Sequence, residues 1–296
     1  MHTPGTRAGI GRPSARRAAA AFAIACGLTL GSAFAAPMAR AADGAAVLAA
    51  AELRVGVERL AKLRLELAAS TDPARARDEL GKERQRVLGA LELLRADPSL
   101  SGRRRGQVAR LAEGVTAFVE RLDGAGPHAG HAWPEVYRDS EALAAQMSFV
   151  STGLSGEMSD AARAALVDLL TRAAATALRV GKLNFAAAAG PAGASSPTAI
   201  AVDVKQAMGE FSAALEAIST SSLPDRRMQD DLELARQQWL MFSAALNAGG
   251  LVKERRRLNE VATTADRIAQ SLLAIAQRAM RTGPAPSAPA ELARRG

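Results

Sequence analysis

Cysteine is nearly missing from this chain of 296 residues, and the one thiol, Cys26, falls in a segment that reads as an export signal. The mature protein therefore has no disulfide and no thiol chemistry. Histidine occurs three times, as His2, His128 and His131, and none of these lies in a segment with helical periodicity. General acid–base catalysis would have to rest on carboxylates alone. Aromatic residues are only 3% of the chain, and β-branched runs bounded by turn residues are scarce, which argues against a sheet. No glycine-rich phosphate loop follows a strand, and neither G-x-S-x-G nor H-E-x-x-H occurs. These absences point away from an enzyme. His128 and His131 have the spacing of half a zinc site but lack further ligands, so no metal and no cofactor is expected.

Acid is also absent, but only locally. The first 41 residues carry Arg7, Arg12, Arg16, Arg17 and Arg40 and no Asp or Glu. Without that segment the formal charge falls from +8 to about +3, so the basic balance does not describe a nucleic-acid surface. Arg16 and Arg17 precede the apolar stretch AAAAFAIACGLTLGSAFAA, and Ala39-Arg40-Ala41 offers a small-x-small cleavage site before Ala42, with Ala33-Phe34-Ala35 as a rival. Residues 1–41 thus read as a signal peptide and the mature chain as periplasmic. A membrane enters only if the signal stays uncleaved, as an N-terminal anchor.

What is abundant is alanine, together with arginine and glutamate at helical spacings, so the fold class is all-α. Capping residues divide the chain into about eight helices. The first runs from Ala45 to Ala69, and Asp72-Pro73 opens a second that ends near Asp97. Ser101 caps a third to Gly124, and the fourth runs from Pro134 to about Val150. Ser159 or Asp160 caps the fifth, Ser196-Pro197 opens the sixth, and Pro224-Asp225 the seventh. The eighth runs from Leu251 to Arg281, and residues 283–296 read as a disordered tail.

The helices form two sets of four. ERLAKLRLELAAS (58–70) matches LRVGKLNFAAAAG (178–190), with Arg59, Lys62 and Leu63 facing Arg179, Lys182 and Leu183 at an offset of 120 residues. Ala90-Leu91-Glu92 matches Ala214-Leu215-Glu216, 124 residues on. The expected architecture is two tandem up-down four-helix modules, residues 42–155 and 156–282, forming one elongated or fused bundle. Leu53, Val57, Leu60, Leu63 and Leu67 form one apolar stripe, and Leu166, Leu170, Ala173, Ala177 and Val180 the corresponding one.

ELRVGVERLAKLRLELAAS resembles the opening helix of the periplasmic N-terminal domain of type IV pili methyl-accepting chemotaxis transducers (the PilJ type), which is akin to the P-box helix of NarX-type sensors. DLELARQQWLMFSAALNAGG and LNEVATTADRIAQSLLAIAQRAM are similar to the third and closing helices of that domain. The resemblance implies a sensory helical module in which P-box arginines from two helices meet a small oxyanion, signalling through a protein partner. Carried over by position, the candidate ligand-binding residues are Arg54, Arg59 and Lys62 in the first copy and Arg172, Arg179 and Lys182 in the second. Ala174 stands where one P-box arginine would be.

A plainer reading competes with this one. Arg54–Glu58, Glu58–Lys62 and Asp168–Arg172 are i,i+4 pairs of the kind that stabilises a solvated helix face by about 0.2–0.5 kcal/mol. Arg59 and Arg179 border the apolar stripes, where an arginine stem can simply cover a seam. Trp239 and Phe242, three residues apart, read as core. The alternative function is therefore a ligand-free structural or protein-interaction bundle.

Overall fold

A computed structural model describes residues 35–69, 72–124, 133–189, 197–221, 225–249 and 255–281. Among these residues there are eight helices and no strand: α1 (Ala35–Ala69), α2 (Pro73–Ala96), α3 (Gly102–Gly124), α4 (Trp133–Glu157), α5 (Ala161–Ala189), α6 (Pro197–Ser219), α7 (Arg226–Gly249) and α8 (Arg255–Arg281). The all-α class and the helix count expected from the sequence are observed. Most of the export segment, His128, His131 and the C-terminal tail lie outside the described residues. Among the described residues no helix is long and apolar enough to cross a membrane.

The helix starts follow their caps. Asp72 Oδ1 accepts from the Arg75 N–H at 3.0 Å, Asp160 Oδ1 from Arg163 N–H at 3.0 Å, and Asp225 Oδ1 from Met228 N–H at 2.8 Å. Each carboxylate satisfies a donor that the first turn leaves open and faces the positive end of the helix dipole. Asp160, not Ser159, holds the start of α5. Two ends differ from the reading of the sequence: α1 begins at Ala35, not Ala45, so it runs through the expected cleavage site at Ala41-Ala42, and α4 ends later than expected. The fourth helix continues past Val150 through Ser151-Thr152-Gly153 to Glu157 because Leu154 is buried and Glu157 accepts from Arg104 Nε of α3 at 2.8 Å. Tertiary packing there overrides weak local propensity.

The core is built round two helices. α5 packs against α4, α6 and α8. α1 meets α2 where Gly56 faces Val87, α5 where Arg54 reaches Asp168, and α8 where Glu52 accepts from Gln277 at 2.8 Å. The expected stripes are present, but burial does not stop at them. From Leu53 to Glu66 every residue of α1 is buried, the charged ones included. A helix enclosed on all sides is a bundle centre, not an amphipathic wall. The outer helices are one-sided, as surface helices should be. α2 buries Ala76, Glu83, Val87, Leu91 and Leu94, and α6 buries Ile200, Ala207, Phe211, Leu215 and Ile218.

Burial itself repeats along the chain. The α2 positions just named fall on the α6 positions at the 124-residue offset seen in the sequence. At the same offset Val108, Leu111, Val115, Phe118 and Leu122 of α3 fall on Leu232, Ala235, Trp239, Phe242 and Leu246 of α7. Trp239 and Phe242 are core residues. Trp239 stacks on Phe211 with ring centroids 3.9 Å apart, meets Phe242 edge-on at 5.8 Å, and donates its indole N–H to Ser212 Oγ at 3.2 Å. From Pro37 onward the chain clusters as one compact unit, so the repeat of register runs inside a shared core.

Candidate functional site

Arg59 and Lys62 are three residues apart on α1, and Arg179 and Lys182 three apart on α5. That spacing puts each pair on one helix face. In each copy the pair shares one carboxylate from another helix. Asp266 of α8 places Oδ2 at 2.8 Å from Lys62 Nζ and Oδ1 at 3.3 Å from Arg59 Nε. Glu141 of α4 places Oε1 at 2.8 Å from Lys182 Nζ, while Arg179 donates from Nε to Oε1 at 3.1 Å and from Nη2 to Oε2 at 2.8 Å. The clamps are crossed. The Arg-x-x-Lys pair of the first copy takes the acid from the last helix of the second, and the second copy takes its acid from the fourth helix.

Further partners complete each cluster. In the first, Arg59 also donates to Glu83 at 2.9 Å and Glu79 at 3.3 Å on α2, and Lys62 donates to the Ala262 carbonyl at 3.2 Å. Glu66 lies 3.2 Å from Lys62 and is held by Arg75. In the second, Lys182 donates to Ser140 Oγ at 2.9 Å, sits 5.2 Å above the Tyr137 ring and touches Glu58 Oε2 of α1 at 2.7 Å. The Tyr137 hydroxyl donates to Asp203 of α6 at 3.1 Å.

The lysine ends of these clusters lie in the interior, while Arg179 and Glu141 keep part of their surface in solvent. Lys62, Lys182 and Glu66 are fully buried, and Glu58 nearly so. Burial pushes the Glu58 carboxyl above its ordinary range, with Lys182 opposing, and burial pulls the Lys62 ammonium down, with Asp266 opposing. For Glu141 burial acts upward, but Lys182 and Arg179 together outweigh it and hold the carboxyl below its usual value. Burial raises the Tyr137 phenol, reinforced by Glu141 and Asp203. A charge layer of this kind resists rearrangement, because breaking one pair leaves an uncompensated charge in a low-dielectric interior.

The other two candidates meet elsewhere. Arg54 of α1, buried, and Arg172 of α5, exposed, share Asp168, at 2.8 Å and 2.5 Å. Of the three i,i+4 pairs proposed for a solvated face, only Asp168–Arg172 forms at a partly exposed position. Glu58 turns to Lys182, and Arg54 and Lys62 are interior residues. The solvated-face reading of Arg54 and Lys62 is thereby corrected, since the helix that carries them is enclosed by neighbours. All six cations have carboxylate partners within the protein. The acids Glu141 and Asp266 were not singled out by sequence, although they occupy matching places in α4 and α8. Among the described residues no group of three or more His, Cys, Asp or Glu side chains could hold a metal ion.

No protein-family model, no curated protein and no solved structure matches this chain.

Proposed function

We propose that this chain is an exported helical-bundle protein that acts through protein contacts, with the oxyanion positions of its two Arg-x-x-Lys clamps filled from within. One observation carries the reading: Glu141 fills the Nε–Nη2 fork of Arg179, while Glu83 and Glu79 take the two Nη donors of Arg59 and Asp266 takes Lys62. A carboxylate presents the same two-oxygen edge to a guanidinium as nitrate does. Being part of the chain, it forgoes the loss of translational freedom that a free anion must meet on binding. Large apolar side chains left in solvent supply the surface for a protein partner. Leu93, Phe149, Val202 and Leu240 are all at least 60% exposed, on four different helices. Export rests on the charged and apolar pattern of residues 1–41.

A second reading, the small-anion sensor, is favoured by one feature. The Glu141 side chain keeps 29% of its surface in solvent, so an anion could reach that clamp and displace it. Thermal titration separates the two. With nitrate, nitrite or acetate at fixed ionic strength, the wild-type chain is expected to show no saturable shift. Glu141→Ala vacates the fork and is expected to gain one with acetate or nitrate, worth about 2.7 kcal/mol at 100 times the dissociation constant. A saturable wild-type shift abolished by Arg59→Ala or Arg179→Ala would establish the sensor instead. Loss of cross-linked protein partners on Phe149→Ser and Leu240→Ser, with stability unchanged, tests the contact surface.

A further inference from the structure

Away from the clamps, the C-terminal half of α7 and the N-terminal half of α8 enclose a groove of about 550 Å³. That is within the 300–1,000 Å³ typical of small-ligand sites. Its apolar wall is Phe242 and Leu246 from α7 and Val261 from α8, with Met241 beside them, 77% exposed, and Gln238 and Thr264 add polar groups to the lining. An exposed methionine on such a rim is an adaptable apolar contact. The charge in the lining is uneven. Arg257 and Glu260 are both already engaged within the protein. Arg267 also lines the groove, is exposed, and makes no ion pair with any described residue. Its neighbour in the chain, Asp266, points inward to the Lys62 clamp, so one turn of α8 closes the core on one side and offers a free guanidinium on the other.

We propose that this groove binds a single-chain alkyl carboxylate, with the chain against Met241, Phe242, Leu246 and Val261 and the carboxylate on Arg267. One unpaired cation beside an apolar slot matches one anionic head on an apolar body. Among the described residues of the lining only Arg267 is an unpaired cation, whereas a polyanion would need more than one and would meet Glu260. A bilayer surface would need an apolar face that protrudes, whereas this one is recessed between two helices.

The test is calorimetric titration of the full chain with decanoate below its micellar concentration, beside acetate, decanol and vesicles of anionic phospholipid. Saturable one-to-one decanoate binding is expected, with acetate and vesicles silent and decanol weaker. Arg267→Gln, an exposed change that leaves the melting temperature in place, is expected to weaken decanoate at least about tenfold, the loss of one charge-assisted contact, and to leave decanol unaffected. Val261→Phe, which fills the slot, is expected to abolish both. Absence of saturable decanoate binding, equal affinity for the Arg267→Gln variant, or binding to vesicles alone would each overturn the assignment.

Discussion

Lys62 of α1 and Asp266 of α8 stand 2.8 Å apart although 204 residues separate them in the chain. Lys182 of α5 and Glu141 of α4 repeat the contact at the same distance. Each lysine belongs to one copy of the repeat and each acid to the other. The two pairs thus link α1 to α8 and α5 to α4, the first buried and the second open to solvent on the Glu141 side. Such pairs contribute less to net stability than their distance implies, because dehydrating both charges offsets much of the attraction.

Removing one partner should therefore cost more than removing both. Lys62→Met leaves Asp266 and Glu66 short of a cation in a dry core, and an expected loss of about 3–5 kcal/mol follows. Lys62→Met combined with Asp266→Leu should recover part of that loss, short of all of it because Arg59 also leans on Asp266. Urea denaturation of the wild type, both single variants and the double variant completes the cycle. Additive single losses would show that the two side chains are not coupled.

Why the sequence showed the pairs of cations but not their acids is a matter of dimension. The caps Asp72, Asp160 and Asp225 act within one turn, so local spacing reveals them, and the α2–α6 and α3–α7 registers follow from apolar periodicity. For Lys62, by contrast, Glu58 and Glu66 are both one helical turn away and are equally good partners along the chain. Only the packing of α8 against α1 brings in Asp266, and only the enclosure of α1 sends Glu58 to Lys182. The repeat did hold a usable signal. Glu141 and Asp266 occupy the same place in the closing helix of each copy, and a search for charges conserved in register would have found them. The end of α4 was hidden for the same reason as the acids: Leu154 and Arg104 hold it from outside the local window.

Acid should separate the two glutamates around Lys182. Glu58 has its carboxyl raised in the folded state, so the native protein holds its proton over a range where the unfolded chain has released it. Stability from this group falls as pH rises from about 4.3, the unfolded value, toward the folded one. Glu141 is depressed, so its contribution is full above the unfolded value and is lost as pH falls through the lower folded one. Relative to Glu58→Gln, the wild type should lose ground between pH 4 and 7. Relative to Glu141→Gln, it should gain as pH rises through the range below about 4.3 and hold that gain to pH 7. Denaturation curves of the three proteins at pH 3, 4, 5.5 and 7 measure both slopes, and slopes of the same sign would contradict the assigned environments.

Arg54 gives a third measurement. Burial lowers its affinity for the proton while Asp168 opposes, and Asp168 is shared with the exposed Arg172. Arg54→Leu should destabilise by several kcal/mol less than Asp168→Leu, because the first change leaves Asp168 with Arg172 and the second strands a buried guanidinium. Arg172→Ala, at the surface, should cost about 0.2–1 kcal/mol. Melting temperatures of the three variants rank them, and an Arg172→Ala loss equal to that of Asp168→Leu would place the key contact at the surface.

Two glycines test how close the central helices come. A methyl group on Gly56 of α1 would stand 2.5 Å from Val87 Cγ2 and 3.2 Å from Glu83 Oε1, where no carbon can sit without moving α2. Glu83 cannot yield freely, since it also accepts from Arg59 at 2.9 Å. Alanine is the better helix former by about 1 kcal/mol, yet overpacking of a filled interface costs about 1–3 kcal/mol, and here the displaced atoms include part of the charge layer. Gly56→Ala is therefore expected to lower stability and to weaken the effect of a later Arg59→Ala change, whose contact it has already disturbed. Gly89 of α2 is the control. Nothing lies within 4 Å of its added methyl, so Gly89→Ala should raise stability by about 0.5–1 kcal/mol. Both can be read from urea midpoints on one day with one protein preparation each. If Gly56→Ala stabilised as much as Gly89→Ala, α1 and α2 would have room between them, and Arg59 would not be held against Glu83 by close packing.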